Sequence, residues 1–284
     1  MMKKLILTVA LASAAAFVSA QDMMSKRGTP ILPESGDWSI GFDAAPLLEY
    51  FGNFFNQAGN NSANAMYQEN HTIVGKIMKD ENTAMRVKIR LGIGSYKQEN
   101  LVTQDGSTST PPATVVDSWK SSNTNVTLGA GLQKYRGKGR LKGFYGAEAG
   151  IMFGGGKHTY EYGNAFSTTY PMPTTSDWDN YDPSSGTYVF GPATSRPTEE
   201  KNGSSFGISI RGFIGVEYFF APKLSIGAEY GWGLGLTSWG EGETTTEYWN
   251  GTGVATSTNK TGKASDFGLD VDNAGGAVVL SAYF

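Results

Sequence analysis

The sequence predicts an all-β chain: a transmembrane, antiparallel, up-and-down β-barrel of eight strands, with ten as the alternative count. Three observations predict it. Segments of period-2 alternation recur along the chain, helical apolar periods are missing, and the links between segments alternate strictly between short and long. Composition agrees. Glycine is high at 38 residues, aromatics reach 12% and charged residues only 17%, a balance that suits many β-strands. A mean hydropathy of −0.30 excludes a bundle of membrane helices, each of which needs ~20 consecutive apolar residues.

The longest apolar run, Leu5 to Val18, stands behind Lys3 and Lys4 and runs into Val18-Ser19-Ala20. A basic start, a short apolar stretch and small residues at its end form the pattern of a secretory signal peptide, so residues 1–20 are expected to be cleaved after Ala20. Residues 21–36, with Gly28, Pro30, Pro33 and Gly36, read as a periplasmic lead-in, and 37–284 as the barrel. The chain has no cysteine, which excludes disulfides, thiolate metal sites and a lipidated N-terminal Cys. Its net charge of −3, or −5 without Lys3 and Lys4, offers no basic face for nucleic acid.

The strands follow in order. The first puts Trp38, Ile40, Phe42 and Ala44 on one face. The second, near 71–78, puts Ile73 and Ile77 there. In the third, near 84–95, Met85, Val87, Ile89, Leu91 and Ile93 alternate with Arg86, Lys88 and Arg90. The fourth, near 122–134, alternates Val126, Leu128, Ala130 and Leu132 with Thr127, Gly129 and Gly131. The fifth, near 141–154, sets Tyr145, Ala147, Ala149, Ile151 and Phe153 against Phe144, Gly146, Glu148 and Gly150. The sixth, near 204–219, opposes Ile208, Ile210, Ile214 and Val216 to Arg211, Gly215 and Glu217. The seventh, near 224–236, opposes Ile226, Ala228, Tyr230, Trp232 and Leu234 to Glu229, Gly231 and Gly233. The eighth, near 267–284, ends with Val278, Leu280, Ala282 and Phe284 on one face.

The links carry the topology. Those at 79–83, 135–140 and 220–223 are short, whereas 47–70, 96–121, 155–203 and 237–266 are long and polar. Short periplasmic turns opposite long outer loops are the mark of membrane barrels, and an even strand count returns both termini to the periplasm. Most segments reach the ~9–11 residues that a tilted membrane strand needs. Trp38, Tyr218, Phe220 and Phe284 at the turn side, with Phe153 and Phe206 at the loop side, suit interfacial girdles.

With these residues in view, the chain resembles the small outer-membrane barrels of the OmpX/OmpA-like class over Asp37 to Phe284. Three stretches carry the resemblance: GTPILPESGDWSIGFDA at 28–44, VEYFFAPKLSIGAEYGWG at 216–233, and the terminal alternation Val278, Leu280, Ala282, Phe284. The resemblance implies an eight-stranded barrel without enzymatic activity or cofactor. Its surroundings would be outer-membrane lipid, its loops would face the exterior, and its termini would be periplasmic. Sec export and the barrel-assembly machinery are the implied partners in biogenesis, with the C-terminal alternation as assembly signal. The chain departs from the larger members in having no peptidoglycan-binding domain after the barrel, and its loops are longer than those of the smallest.

Candidate chemistry is sparse. His71 and His158 fall near the outer rim, where a neighbouring Ser and acid such as Glu161 would make a hydrolase; no spacing in the sequence fixes a triad. Asp177, Asp179 and Asp182 in DWDNYD offer oxygens to Ca²⁺, but the EF-hand Glu is missing and a solvated acidic turn is the simpler reading. Gly154-Gly155-Gly156-Lys157 fails as a phosphate loop, because His158 stands where Ser or Thr is required. Tyr160, Tyr162, Phe166, Tyr170, Trp178, Tyr181 and Tyr188 suit either a contact surface or β-extensions above the membrane.

The inward faces carry the strongest pattern. Glu148, Glu217 and Glu229 lie beside glycines and share the interior with Lys76, Arg86, Lys88, Arg90 and Arg211. Counted from the short turns, Glu217 matches Lys76 and Arg86, Glu229 matches Lys88, and Glu148 comes near Arg90 and Arg211, with strand tilt shifting levels by a residue or two. An eight-stranded barrel is just wide enough to be filled by side chains, so a packed ionic core without an open pore is expected. A cation path lined by the three acids, and hence a small channel, is the alternative. Glu247 is read as an outer-loop residue outside this core.

Overall fold

Backbone pairing closes the chain into a ring. The computed structural model describes residues 23–43, 73–269 and 277–284. The segment 1–20 expected to be a signal peptide, the long link expected at 47–70 and His71 lie outside the described residues. Strands β1 (Trp38–Asp43), β2 (Ile73–Asp80), β3 (Thr83–Thr103), β4 (Thr114–Arg136) and β5 (Leu141–Glu161) follow in order. β6 (Thr174–Asp182) and β7 (Thr187–Pro192) form a separate hairpin. Then come β8 (Ser195–Ala221), β9 (Leu224–Trp239), β10 (Glu243–Trp249), β11 (Val254–Lys260), β12 (Ala264–Leu269) and β13 (Ala277–Tyr283). Helix is absent among the described residues.

The ring is β1–β2–β3–β4–β5–β8–β9–β13, closed by the pairing of β13 with β1, and every pairing is antiparallel. It holds eight strands, not ten. The last wall is shared: β13 pairs with the foot of β9, while β12 pairs with its upper part, Leu234–Trp239. The turns between β2 and β3, β4 and β5, and β8 and β9 are short, and the opposite links are long. The tight β8–β9 turn holds Lys223 at φ 58, a left-handed conformation. Its ammonium pairs with Asp37, and its backbone N–H donates to the Ile31 carbonyl at 3.0 Å.

The strands run well past the ends expected for them. Links 96–121, 155–203 and 237–266 are largely ladder rather than loop: β3 and β4 stay paired up to Thr103 and Thr114, and β10 pairs with the early part of β8. The physical reason is that above an apolar belt both faces of a sheet are wet. Threonine, serine, valine and tyrosine keep the extended backbone there without any apolar alternation to betray it. Glu247 accordingly lies in β10, opposite Arg196, and not in an open loop.

The two faces are inverted relative to a soluble protein. Ile77, Val87, Leu91, Ile93, Ile210, Ile214, Trp232 and Leu236 point outward and are exposed. Lys76, Arg86, Gln133, Glu217 and Glu229 point inward and are buried. The small apolar core sits inside the turn end, where Met78, Tyr135, Phe144, Phe213, Phe219 and Tyr283 meet Ile31 of the lead-in. The lead-in folds beneath the barrel. Its Gly36 N–H donates to Met78 O at 2.8 Å and Ser35 Oγ to Lys79 O at 2.9 Å, so Ile31 is held across the opening, 1% exposed. On the outside, Trp38 stacks on Phe284 with ring centres 4.8 Å apart at the turn end, and Phe153 meets Phe206 at 5.2 Å nearer the loops.

Close wall packing depends on glycine at several inward positions, Gly131 and Gly233 among them. A Cβ at Gly131 would lie 2.3 Å from Ala147 O, and one at Gly233 2.5 Å from Ile210 O. Backbone cannot yield cheaply in a closed ladder, so Gly131→Ala should destabilise the barrel by ~1–3 kcal/mol, the usual range for overpacking. Gly191→Ala, with nothing within 4 Å, should leave it unchanged. Thermal unfolding of both variants in detergent measures the difference.

Candidate functional site: the charged interior

Two ionic layers span the lumen. Each inward side chain is placed by the period-2 pleat; Lys76–Glu217 and Arg86–Glu229 cross between opposite walls, whereas Arg211 meets Glu148 and Glu229 on the two strands beside its own. In the lower layer, Glu217 of β8 receives four donors. Lys76 Nζ and Tyr135 OH approach Oε2 at 2.8 Å each, while Ser225 Oγ at 2.5 Å and Tyr283 OH at 2.8 Å approach Oε1. A carboxylate buried to this depth is stable only when its lone pairs are taken up by a cation and hydroxyls. Lys76 Nζ also lies 3.2 Å from both tyrosine oxygens, which ties β2, β4, β8, β9 and β13 together.

The upper layer is a five-membered cluster. Arg86 of β3 grips Glu229 of β9 with two parallel bonds of 2.6 and 2.9 Å. Arg211 Nε donates to Glu148 at 2.6 Å, and its NH2 group to Glu229 at 2.5 Å. Lys88 Nζ lies 3.0 Å from Glu148 and 3.4 Å from Glu229. The Phe213 ring packs near both guanidinium groups, its centre 4.6 Å from that of Arg86 and 5.3 Å from that of Arg211. Between the layers, a gap of about 10 Å³ is lined by Lys76, Arg86, Glu217 and Glu229, room for about one water.

Of the sequence-predicted residues, the structure thus brings Lys76 to Glu217, and Arg86, Lys88, Glu148, Arg211 and Glu229 to one another. Lys76–Glu217, Lys88–Glu229 and Arg211–Glu148 follow the level counting, and two matches differ from it. Arg86 serves Glu229 and comes within 3.4 Å of Glu148, rather than meeting Glu217. Arg90 does not meet Glu148; among the described residues no carboxylate lies within ion-pair distance of it. Sequence reasoning missed Tyr135, Tyr283, Ser225, Gln133 and Phe213. The signal was present, since each falls on the inward parity of its strand. The terminal alternation points outward as expected, with Leu280 and Phe284 exposed.

The outer end is tied by polar side chains. Buried Asp117 accepts from the backbone N–H of Gly163 at 2.9 Å and of Ser176 at 2.8 Å, and Asn164 Nδ2 donates to the carbonyls of Thr103 and Thr174. Arg196 pairs with Glu247 at 2.7 Å and stacks on Tyr162, 4.2 Å from its ring centre. These contacts fold residues 162–194 onto the β3–β4–β8 extension.

His158 stacks on Trp119, with ring centres 5.4 Å apart and planes 10° apart. It faces Ser121 on one neighbouring strand and Glu200 on the other. Among the described residues, no hydrogen bond joins it to either. The Glu200 carboxylate instead accepts from Tyr160 OH at 2.9 Å. Burial, together with that bond, raises the Tyr160 phenol above its ordinary range. Asp182 caps its own turn: bonds from Ser184 and Ser185 hold its carboxyl below the usual value. Asp177 accepts from the Asp179 N–H at 3.2 Å. Among the described residues no cluster of three His, Asp or Glu converges as a metal site.

Removing one partner of a buried pair strands the other charge, at ~3–5 kcal/mol. Glu229→Ala, which frees Arg86 and weakens the hold on Lys88 and Arg211, should therefore lower the unfolding temperature in detergent markedly. Glu99→Ala removes only an exposed pair with Lys97 and should change it little. Glu247→Ala should fall between the two, because it leaves buried Arg196 without its carboxylate.

No protein-family model matches the chain, and no curated protein does. Two chains among solved structures match. One is the outer membrane protein OprG from Pseudomonas aeruginosa, at 9% identity and a TM-score of 0.30, covering 89% of this chain and 98% of that one. The fold described above therefore rests on the strand pairing of this chain itself: an eight-stranded antiparallel barrel with an apolar exterior and a charged interior.

Proposed function

We propose that the protein is a non-enzymatic β-barrel of the outer membrane, sealed by its ionic interior, that presents a stiff β-rich extension at the cell surface for adhesion or binding. The observation that carries this reading is the inversion of its two faces. A continuous belt of exposed Ile, Leu, Val, Phe, Tyr and Trp surrounds a ring whose buried side chains include Lys76, Arg86, Glu217 and Glu229. Water offers no reason to build such a sheet. Lipid does, because every backbone group is paired in a closed ring and the apolar belt meets acyl chains.

Against transport stands the plug: Arg86–Glu229 and Lys76–Glu217 cross the lumen from opposite walls. In support of a contact role, Asp117, Asn164 and Arg196 hold the extension in one conformation. A preformed surface loses little entropy on meeting a partner. Phe284, exposed and stacked on Trp38, is suited to be read by the assembly machinery before the ring closes.

Cell fractionation should recover the protein with the outer membrane. An unboiled sample should migrate differently from a boiled one on a detergent gel, and the purified barrel should give no stable conductance in a planar bilayer. Recovery in the soluble fraction would defeat the membrane reading. Stable, voltage-independent currents would defeat the plug and favour the channel. Loss of a lipid- or peptide-cleaving activity on replacing His158 would favour the hydrolase.

A further inference from the structure

The apolar belt is not smooth. On β8 the outward row of Ile208, Ile210, Ile214 and Val216 is broken by Gly212, which stands between Ala147 of β5 and Trp232 of β9. One outward row nearer the turns lie Tyr145, Ile214 and Tyr230. These three and Trp232 frame an open hollow of about 560 Å³ in the outer wall, with Gly212 at its floor. Its size falls within the ~300–1,000 Å³ of ligand sites. The wall does not force glycine on this position. A Cβ at Gly212 would meet nothing nearer than 3.8 Å, in contrast to Gly131 and Gly233. The hollow is therefore room that an apolar side chain could fill and that the sequence leaves open.

Towards the turn end the outward face of β4 changes character. Leu132 is followed on the same parity by Lys134 and Arg136, both exposed. Lys134 stands opposite Tyr145, and Arg136 opposite Gly143. Among the described residues no carboxylate lies within ion-pair distance of either cation. The stretch 134–142 holds five basic residues and no acid. Gly143 is the outward residue of β5 next below Tyr145, and with no side chain it leaves the way from Arg136 to the hollow low. Two unpaired cations thus lie at the rim of the belt, beside a groove that runs into it.

We propose that this face holds one phospholipid of net negative charge, with an acyl chain in the hollow and the phosphate on Lys134 and Arg136. A guanidinium presents a planar fork of donors that suits a phosphate, and an ammonium adds a point charge. The rings of Tyr145, Tyr230 and Trp232 give the chain a rigid apolar wall. A free anion would have no use for the hollow. A second barrel in the same orientation would bring these cations level with their own counterparts, like charge against like. The inference rests on the membrane reading above, since it needs a lipid at the turn-end rim.

The test begins with flotation of the purified, folded barrel with vesicles. A barrel that does not enter them defeats both readings. One that does is titrated in micelles with phosphatidylglycerol and, separately, with phosphatidylcholine of the same chains, and retained lipid is counted by native mass spectrometry. Wild type should retain one phosphatidylglycerol in preference to phosphatidylcholine. The double variant Lys134→Gln/Arg136→Gln should lower that preference about tenfold, the size expected of two cations at an anionic headgroup. Lys263→Gln, an exposed cation in the link before β12, should leave it unchanged. Gly212→Leu keeps the cations but fills the hollow, so it should weaken both lipids alike; it carries the test if the double variant fails to fold. Equal retention of the two lipids by a wild type that enters vesicles would overturn this proposal and leave the membrane reading standing. So would an undiminished preference in the folded double variant, undiminished retention in Gly212→Leu, or a lipid-free dimer.

Discussion

Closure of the backbone ladder is the constraint on which everything else depends. Ser39 faces Tyr283 across the seam between the first and last strands, and no wall of the ring ends in an open edge at that level. A sheet closed in this way satisfies its own N–H and C=O groups without water. It also fixes the diameter. Eight tilted strands enclose a space that must be filled by side chains, and the filling chosen here is ionic.

That choice has geometric conditions. A guanidinium that reaches from β3 to a carboxylate on β9 must cross the lumen, and long side chains from several walls must share one layer. Gly131 beside Glu148 and Gly233 beside Arg211 make the room, because any Cβ there would strike the neighbouring strand. Aromatic rings finish the filling. Phe213 lies against the guanidinium groups of both Arg86 and Arg211, and Tyr135 and Tyr283 supply hydroxyls to a carboxylate that one lysine alone would leave half-satisfied.

Face was legible in the sequence, and partnership only in part. Period 2 assigns Lys76, Arg86, Glu217 and Glu229 to the interior whatever the register, because a strand has only two sides. Which acid meets which base depends on the shear of the ring. That quantity is set by closure and appears in no single strand, so Arg86 was matched with Glu217 in place of Glu229. The extension was illegible for another reason: where both faces are wet, ladder and loop have the same composition. The Asp117–Gly163–Ser176 contacts join residues far apart in sequence through backbone donors that carry no side-chain signature. The lead-in, too, reads only as a Gly- and Pro-rich segment, although Ile31 belongs to the core.

The seam also bears on how such a chain comes into being. Trp38 and Phe284 exchange backbone hydrogen bonds in both directions, at 3.1 and 2.8 Å. The pairing that completes the ring therefore joins residues at opposite ends of it, the contact with the highest entropic cost of closure and the slowest to be found. Until it forms, β1 and β13 each present a bare edge, ready to pair with any other extended chain. A product cut short at either end is thus not a smaller barrel but an open sheet with two adhesive margins. Completeness of synthesis becomes a property that the molecule itself reports, through the presence or absence of an edge.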